Sequence, residues 1–494
     1  MDFTSVDYYF VFLPLVIATL LAFRNKNRKW SILLLVASSY IFFWFSSGWF
    51  IALLIISTTV DYIIGNQISD SKNKKKRKFL LICSLLVNLG ILCIFKYAKF
   101  IYSTIEEITS GLLSDLTGHS ELVTLGPVPL ILPVGISFYT FQTMSYTIDI
   151  YRGKIETYDS WIDFACYASF FPQLVAGPIV RAEDFRKEIN GNNFGINKRG
   201  LQVGSIFIIM GLFKKLVLSN TFAIQVNMIF NENSAIDYSN YFIVILGALF
   251  FGIQIYCDFS GYTDIALGSA RIFGIKLPEN FDYPYTSKSM REFWRRWHIS
   301  LSTWLRDYLY ISMGGSRNGV FRTYIALMMT MILGGLWHGA AINFIIWGVF
   351  HGFFLVIERV VINYLPNIMP KTRLSVINNI LSLIYANYVI FSSWIIFRVS
   401  DFEVLSRCMK TIFFLDCNFD YNEAWTSLAS GKYISIIYMI MFFTMYFISR
   451  KNGRLRDKIL EQSIHVQFQF MFFLCICIFF LRPSEQVEFI YFGF

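Results

Sequence analysis

Charged residues and histidines are scarce in this chain of 494 residues. Only 15% of the residues are charged and only five are histidines, whereas 55% are hydrophobic and 18% are aromatic. A soluble domain needs more charge than this to cover its surface. Mean hydropathy is +0.51, and long apolar runs recur from residue 8 to residue 482. The composition therefore predicts an all-α, polytopic integral membrane protein rather than a soluble domain with one anchor.

The sequence also lacks the signatures of several other enzyme classes. It has no phosphate-cradling glycine loop followed by Lys-Ser or Lys-Thr, no Gly-x-Ser-x-Gly elbow and no zinc-type pair of histidines. Its eight cysteines are scattered, and Cys475 and Cys477 are too close together for the usual spacing of metal ligands. We therefore expect no ATP-driven pump, no serine hydrolase, no bound metal and no disulfide framework.

The formal net charge of +10 raises the question of nucleic acid binding. The basic residues gather in short loops, at 24–29 and 72–78, without a run of interleaved aromatic residues. Loops that stay in the cytoplasm carry an excess of Lys and Arg. The basic loops therefore indicate membrane topology and contact with anionic lipids, and they predict no nucleic acid partner.

A helix needs about 20 apolar residues to cross the hydrocarbon, and some apolar segments are expected to be re-entrant or interfacial, so we predict about eleven crossings. The candidate segments are 8–23, 30–46, 48–66, 79–97, 129–150, 161–177, 201–218, 240–257, 322–341, 342–362, 377–397, 432–449 and 466–481. The more polar segments are predicted to be loops: 98–128, 178–200 and 401–431. No internal repeat stands out, which counts against a transporter built from inverted repeats.

Residues 289–309 combine aromatic and charged side chains more densely than a lipid-facing helix or a solvated loop would. Three tryptophans recur near helical spacing between 294 and 304, with arginines between them. This pattern predicts one helix that lies at the interface or dips into a cavity lined by protein.

Three histidines, His298, His338 and His351, fall inside or beside strongly apolar segments. An ionisable ring at membrane depth loses its hydration, so it is a functional-site hypothesis by default. His338 lies between glycines in 334–340, where a substrate or another backbone can approach the ring closely. Two roles stay open for it: a general base that takes a proton from an acceptor hydroxyl, or a structural hydrogen bond between helices.

His298 has three open roles: to orient His338, to bind the donor, or to hydrogen-bond a loop. His351 follows His338 by thirteen residues, which puts the two rings about 140° apart on a helix, so we predict that His351 is structural.

Two carboxylates, Asp258 and Asp264, lie in an apolar stretch. Membrane carboxylates are costly unless they are paired or hydrated. We expect each to pair with an arginine of the 291–306 segment, and the alternative is that they line a reaction chamber. Guanidinium groups match phosphate oxygens well, so the arginines at 291, 295 and 296 are candidates to bind a nucleotide thioester. The positive-inside rule explains these arginines equally well.

At these residues the chain resembles the membrane-bound O-acyltransferase superfamily, in the bacterial branch of alginate O-acetyltransferase membrane subunits. The matching motifs are PVGISFYTFQ at 133–142, FPQLVAGPI at 171–179, DFSGY at 258–262, PENF at 278–281, FWRRWHISLS at 293–302 and LWHG at 336–339. The segment EFIYFGF at 488–494 is also similar to that branch. The resemblance extends over nearly the whole chain. It implies a single domain, 1–494, with N-terminal helices in 8–97, catalytic core motifs in 129–362 and C-terminal helices in 377–494.

The resemblance implies a ring of helices around a central chamber that crosses the bilayer. An acyl thioester enters from the cytoplasm and the acceptor from the other side. His338 matches the essential membrane histidine of the family, and His298 matches its second characteristic histidine. The expected substrate-binding residues are Trp297, Trp337, Asp258, Arg295, Arg296 and Ser302.

The implied function is a membrane O-acetyltransferase subunit that moves acetyl from cytoplasmic acetyl-CoA to an envelope or exported polysaccharide. Acetyl-CoA is a donor substrate here, and we expect no bound cofactor. The resemblance also implies a separate extracytoplasmic acetyltransferase as partner. Three alternatives stay open: D-alanyl transfer from a carrier protein toward teichoic acid, acyl transfer to a lipid, and a transporter that makes no bond.

Overall fold

The computed structural model describes residues 1–23, 27–117, 132–175, 177–230, 236–317, 319–364, 375–415, 417–428 and 431–492. Helices account for 79% of these residues. They form no strand, apart from one isolated parallel bridge between Asn240 and Asn418. This confirms the all-α prediction.

Nine helical segments in the described ranges are long and apolar enough to cross a membrane. They are Arg28–Asp70, Lys74–Glu106, Lys198–Ile229, Tyr241–Ile272, Val320–His338, Ile342–Tyr364, Ile377–Arg398, Lys432–Asn452 and Ile464–Leu481. The first contains two predicted spans, because the helix breaks at Gly48, whose φ is +59°. The chain is thus a multi-pass membrane protein, and the predicted count of eleven is not confirmed.

The described residues divide into two compact units. Unit 1 is built mainly from residues 1–195 and contains nine helices. They are α1 Leu13–Ala22, α2 Arg28–Ser47, α3 Ile51–Asp70, α4 Lys74–Leu92, α5 Ala98–Thr117, α6 Ile136–Tyr151, α7 Trp161–Ser169, α8 Phe171–Leu174 and α9 Ala182–Asn190. Asn73 starts α4 in the expected way, since its side chain accepts hydrogen bonds from the amides of Lys75 and Lys76.

Several predictions for unit 1 were wrong in detail. The segment 161–177 is not one span, because α7 has nine residues and α8 only four. The predicted loop 98–128 begins as a helix, α5, and its residues 118–128 lie outside the described ranges. The predicted loop 178–200 contains α9.

Helices α3, α4 and α6 pack around a buried carboxylate, Asp61. Its oxygens accept hydrogen bonds from the Ser84 hydroxyl at 2.6 Å and the Asn88 amide at 2.8 Å. The Ser84 hydroxyl also lies 3.2 Å from the Thr147 hydroxyl. Buried polar groups need such partners, so this set links the three helices in one register.

Unit 2 is built mainly from residues 196–494 and contains thirteen helices in its described part. They are α10 Lys198–Phe213, α11 Asn220–Ile229, α12 Tyr241–Ile272, α13 Met290–Arg296, α14 Ile299–Leu305, α15 Val320–His338, α16 Ile342–Tyr364, α17 Ser375–Arg398, α18 Phe402–Ile412, α19 Tyr421–Ser427, α20 Lys432–Asn452, α21 Leu455–Leu460 and α22 Ile464–Leu481. A π-helical segment, Lys214–Ser219, joins α10 to α11, and a 3-10 turn forms at Ile490–Phe492.

The 289–309 segment is not the single helix that its spacing predicts. It breaks at Trp297 and His298, between α13 and α14, and continues as a π-helical turn at Arg306–Tyr310. The predicted loop 401–431 likewise contains α18 and α19. Helix α12 has 32 residues and ends at Ile272, 15 residues beyond its predicted end at 257. Most of its side chains are buried.

Candidate active site

The position of His338 depends on close packing of α15 against α16. A Cβ atom added to Gly335 would lie 2.1 Å from the carbonyl oxygen of Phe344, and one added to Gly348 would lie 2.5 Å from that of Met331. Only glycine therefore lets the two helices approach this closely. The predicted close approach beside His338 is thus made by a second backbone, and it places the buried imidazole at the end of α15.

His298 owes its position to a turn rather than to a helix. Its φ of +42° and ψ of 55° lie in the left-handed region, which costs a non-glycine residue about 1–2 kcal/mol. Asn280 stabilises the turn, because its carbonyl oxygen accepts from the Ile299 amide at 3.0 Å and its side-chain oxygen from the Ser300 amide at 3.2 Å. The imidazole is fully buried as a result.

Helix α13, which leads into this turn, is held by α16. The carboxylate of Glu358 accepts hydrogen bonds from the Met290 amide at 2.6 Å and the Arg291 amide at 3.2 Å. These amides belong to the first turn of α13, where backbone N–H groups have no acceptor within their own helix. His351, also on α16, accepts from the Trp294 indole at 3.3 Å and is buried, in line with its predicted structural role.

The rings of the two histidines and of three other residues form a closed cycle of contacts. The Trp337 ring lies 5.9 Å from His298 and 5.1 Å from His338, measured between centroids. Tyr491 lies 5.6 Å from His338 and 4.9 Å from Phe259. Phe259 closes the cycle at 4.6 Å from His298. The structure thus brings the two predicted histidines to one place, with Trp337 between them.

A buried ion pair holds the segment that carries Tyr491 beside the two histidines. Asp258 forms an ion pair with the Lys215 ammonium at 2.6 Å and accepts a hydrogen bond from the Ile490 amide at 2.8 Å. Lys215 also donates to the carbonyl oxygens of Val487 at 2.8 Å and Glu488 at 3.2 Å. We call residues 487–491 the C-terminal strap. The prediction that Asp258 pairs with an arginine of 291–306 was wrong, because the partner is Lys215.

The same correction applies to Asp264, whose carboxylate pairs with Lys214 at 2.6 Å and with Arg456 at 3.0 Å. Both lysines belong to the π-helical segment between α10 and α11. A π-helical turn in a longer helix is frequent at functional sites. Here it directs two consecutive lysines toward two different carboxylates of α12.

Two other predicted residues serve the turn at His298. Trp297 is buried, and its ring lies 5.1 Å from Phe281 and 4.8 Å from Trp394. The Ser302 hydroxyl donates to the Trp297 carbonyl at 3.1 Å, and the Ser302 amide donates to the His298 carbonyl at 2.9 Å. Both residues therefore shape the turn.

The predicted arginines lie apart from the cycle of rings. Arg296 forms ion pairs with Asp282 at 2.9 Å and with Glu292 at 2.8 Å. Arg295 is exposed. The geometry of Arg296 fits a role in fastening the loop at 279–283 to α13.

Burial controls the protonation of two rings in the site. It lowers the pKa of His298 from 6.5 to about 3, so the imidazole is neutral at physiological pH. It raises the pKa of Tyr491, with the nearby Asp258 carboxylate adding to the effect, so the phenol keeps its proton. A neutral imidazole has one N–H donor and one acceptor nitrogen. The site therefore offers polar groups without placing a charge on either of these rings.

The profile of the MBOAT family, the membrane-bound O-acyltransferases, matches residues 148–400. This range covers half of the chain and includes both histidines of the cycle. The chain belongs to the MBOAT family. It is an O-acyltransferase, as the motifs predict.

Several MBOAT relatives are similar over much of their length. A probable alginate O-acetylase AlgI of Pseudomonas aeruginosa is 37% identical over 416 residues, which are 84% of this chain and 75% of the relative. A peptidoglycan O-acetyltransferase of Helicobacter pylori is 31% identical over 72% of this chain and 68% of its own. A teichoic acid D-alanyltransferase of Streptococcus thermophilus is 31% identical over 46% of this chain and 56% of its own.

Sequence reasoning missed three residues of this MBOAT site: Lys215, Phe259 and Tyr491. A signal for Lys215 was present, because it is an ionisable group inside an apolar run, the same criterion that selected the histidines. Phe259 and Tyr491 lie in motifs that carry the resemblance. An apolar ring and a tyrosine near the end of the chain carry no local mark of proximity to His338.

Proposed function

We propose that this MBOAT protein transfers acetyl from cytoplasmic acetyl-CoA toward an envelope or exported polysaccharide, with His338 as the general base. The observation that carries the proposal is the buried cycle of rings, in which His338 and His298 flank Trp337. The names of the relatives support the reaction and the acceptor class, since alginate and peptidoglycan O-acetylation both esterify a polymer hydroxyl.

In the proposed reaction the acceptor oxygen attacks the thioester carbonyl while His338 takes the hydroxyl proton. The tetrahedral intermediate then expels the CoA thiolate, which recovers this proton from the imidazolium. The reaction therefore balances, with one ester and one thiol as products. Neutral His298 donates its N–H to the donor carbonyl oxygen as negative charge develops there. Of the other predicted substrate-binding residues, Trp297 and Ser302 act through the turn at His298. Asp258 acts through its ion pair with Lys215, and Arg296 through the loop at 279–283.

The proposal includes a separate extracytoplasmic acetyltransferase that completes the transfer, and a location in the bacterial cytoplasmic membrane. These parts rest on the resemblance to the alginate O-acetyltransferase branch and on the multi-pass fold. D-Alanyl transfer to teichoic acid is the second candidate, because two relatives carry that name.

The test is base-labile ester on purified envelope polymer from cells with wild-type protein, His338→Ala or His351→Gln, at matched membrane levels. We expect acetate from the wild type and at least a 100-fold loss in His338→Ala, since a positioned base contributes about 10²–10⁴-fold. His351→Gln is the matched control, because His351 is equally buried but lies outside the cycle of contacts. Equal acetate release from wild type and His338→Ala would refute the mechanism, and released D-alanine would favour the second candidate.

A further inference from the structure

A cavity of about 350 Å³ lies along α20, with its other walls formed by α12, the end of α10 and the loop at 279–283. This volume is in the range of small-molecule pockets, about 300–1,000 Å³. Its lining residues on α20 run along one helical face from Met441 to Asn452. The eleven helical rises between these two residues cover about 16 Å, which is close to one leaflet of the hydrocarbon core at roughly 15 Å.

One end of the cavity is charged. Four basic and two acidic side chains line it: Lys214, Arg454, Arg456, Lys458, Asp264 and Glu279. Both acidic groups are already paired, Asp264 with Lys214 and Arg456, and Glu279 with Arg454 at 3.1 Å and with Arg456. Lys458 is exposed and has no acidic partner within 4 Å in the part of the chain that the structure describes. The charged end therefore has a small positive surplus.

Two buried hydroxyls lie deeper in the cavity wall. Ser260 is 3% exposed and Thr263 is 2% exposed, and both line the cavity. Among the residues that the structure describes, neither hydroxyl has a hydrogen-bond partner. A buried polar group left without a partner costs about 1–3 kcal/mol. These two hydroxyls are therefore donors that a ligand carbonyl would satisfy.

The remaining wall is apolar and is partly open at the protein surface. Met441 and Phe442 lie at its deep end, and Met445 and Ile448, nearer the charged end, are 50% and 54% exposed. Methionine side chains adapt their shape to a flexible chain. The order of groups along the cavity is thus positive charge, hydroxyl donors and apolar surface.

We propose that this cavity binds a single anionic glycerophospholipid. Its phosphate would lie beside Lys458 and Arg454, its ester carbonyls would accept from Thr263 and Ser260, and one acyl chain would follow α20 toward Met441. Phosphate, ester and hydrocarbon occur in this order along such a lipid, so one molecule satisfies all three regions of the cavity.

Two other occupants fit less well. A partner's transmembrane helix has a diameter of about 10–12 Å with its side chains, which is too wide for a cavity of this volume. A nucleotide thioester carries several phosphate charges, whereas the acidic partners described above leave only a small positive surplus.

The cavity is connected to the active site through two rings. Phe281 lines the cavity and lies 5.1 Å from Phe259, which in turn lies 4.6 Å from His298. A bound lipid would therefore pack behind the turn that carries His298. Retention of the lipid can be measured without any assumption about the reaction.

Native mass spectrometry of the full chain in mild detergent tests the proposal. The probes are diester phosphatidylglycerol, its diether analogue with the same headgroup, diester phosphatidylcholine, free glycerol phosphate and acetyl-CoA. We expect the wild type to retain one diester phosphatidylglycerol and to bind the diether analogue about fivefold more weakly for each hydrogen bond lost. Glycerol phosphate separates a free phosphate site from a lipid site, because it has no acyl chain.

Substitutions with matched controls locate the lipid. Ser260→Ala with Thr263→Val removes both donors at nearly constant volume, so the diester lipid should fall to the weaker retention of the diether lipid. Met445→Trp fills the cavity and should abolish retention. Ile440→Trp is its control, because Ile440 is also on α20, is 60% exposed and lies outside the cavity lining.

Three outcomes would overturn the proposal. They are equal retention of diester and diether lipid by the wild type, unchanged retention in Met445→Trp, and displacement of the lipid by acetyl-CoA or glycerol phosphate. Retention is also measured in His338→Ala, where we expect no change. Failure of the lipid site and failure of the proposed reaction are therefore separate results.

Discussion

Replacing Lys215 with methionine is expected to destabilise the protein and to release the C-terminal strap. Lys215 is 2% exposed and Asp258 is 1% exposed, so neither charge is screened by solvent. Removing one partner of a buried ion pair leaves an uncompensated charge, which costs about 3–5 kcal/mol. Lys215→Met should therefore lower the free energy of unfolding by about this amount.

The double variant Lys215→Met with Asp258→Asn separates the cost of the buried charge from the loss of the strap. It carries no charge at either of these two positions, and the amide oxygen introduced at position 258 still accepts from the Ile490 amide. The two hydrogen bonds from Lys215 to Val487 and Glu488 are lost, at about 1 kcal/mol each. We expect the double variant to be more stable than Lys215→Met alone, yet to stay low in acyl transfer, because two of the three hydrogen bonds that hold the strap, and with it Tyr491, beside His338 are lost.

Thermal unfolding in detergent and ester formation on purified polymer measure these two effects. Lys214→Met is the matched control, because Asp264 keeps its second partner, Arg456, at 3.0 Å. We expect a loss of no more than about 1 kcal/mol for this control. The reasoning would be wrong if Lys215→Met were as stable as Lys214→Met. It would also be wrong if the stability losses of Lys215→Met and Asp258→Asn, each measured alone, simply added in the double variant.

Three further outcomes are expected. Gly335→Ala should push α15 away from α16, because its Cβ would meet the Phe344 carbonyl at 2.1 Å. We expect this overpacking to lower the free energy of unfolding by about 1–3 kcal/mol and to reduce acyl transfer. Thermal unfolding and ester formation on purified polymer measure the two effects. Burial lowers the pKa of His298 from 6.5 to about 3. The contribution of this residue to stability is therefore full above pH 6.5 and falls as the pH drops, by about 2 kcal/mol at pH 5. Unfolding scans of His298→Asn should lack this pH dependence, and an equal pH dependence in the variant would exclude His298 as its source. Tyr491→Phe keeps the ring but removes the hydroxyl, so similar stability with lower transfer would assign the hydroxyl a part in the reaction.

The helical class and the two histidines could be predicted because their signals are local. Apolar runs define membrane helices by length, and a rare ionisable residue in such a run stands out. The break at His298 could not be predicted, because the tryptophans keep helical spacing through it and the turn depends on Asn280, eighteen residues earlier. The partner of Asp258 could not be predicted either, since Lys215 and the arginines of 291–306 are equally suitable by charge.

The C-terminal strap also constrains how the protein is made. Asp258, His298 and His338 emerge from the ribosome long before Tyr491, and α20 and α22 must enter the bilayer in between. Until residues 487–491 return to α12, the ion pair of Lys215 and Asp258 lacks its bonds to the strap, and the His338 ring lacks its contact with Tyr491. A nascent chain halted after α16 would hold both histidines but an unfinished chamber. Completion of the site therefore follows the insertion of α20 and α22, and a fusion that draws the strap away should leave a well-inserted but inactive protein.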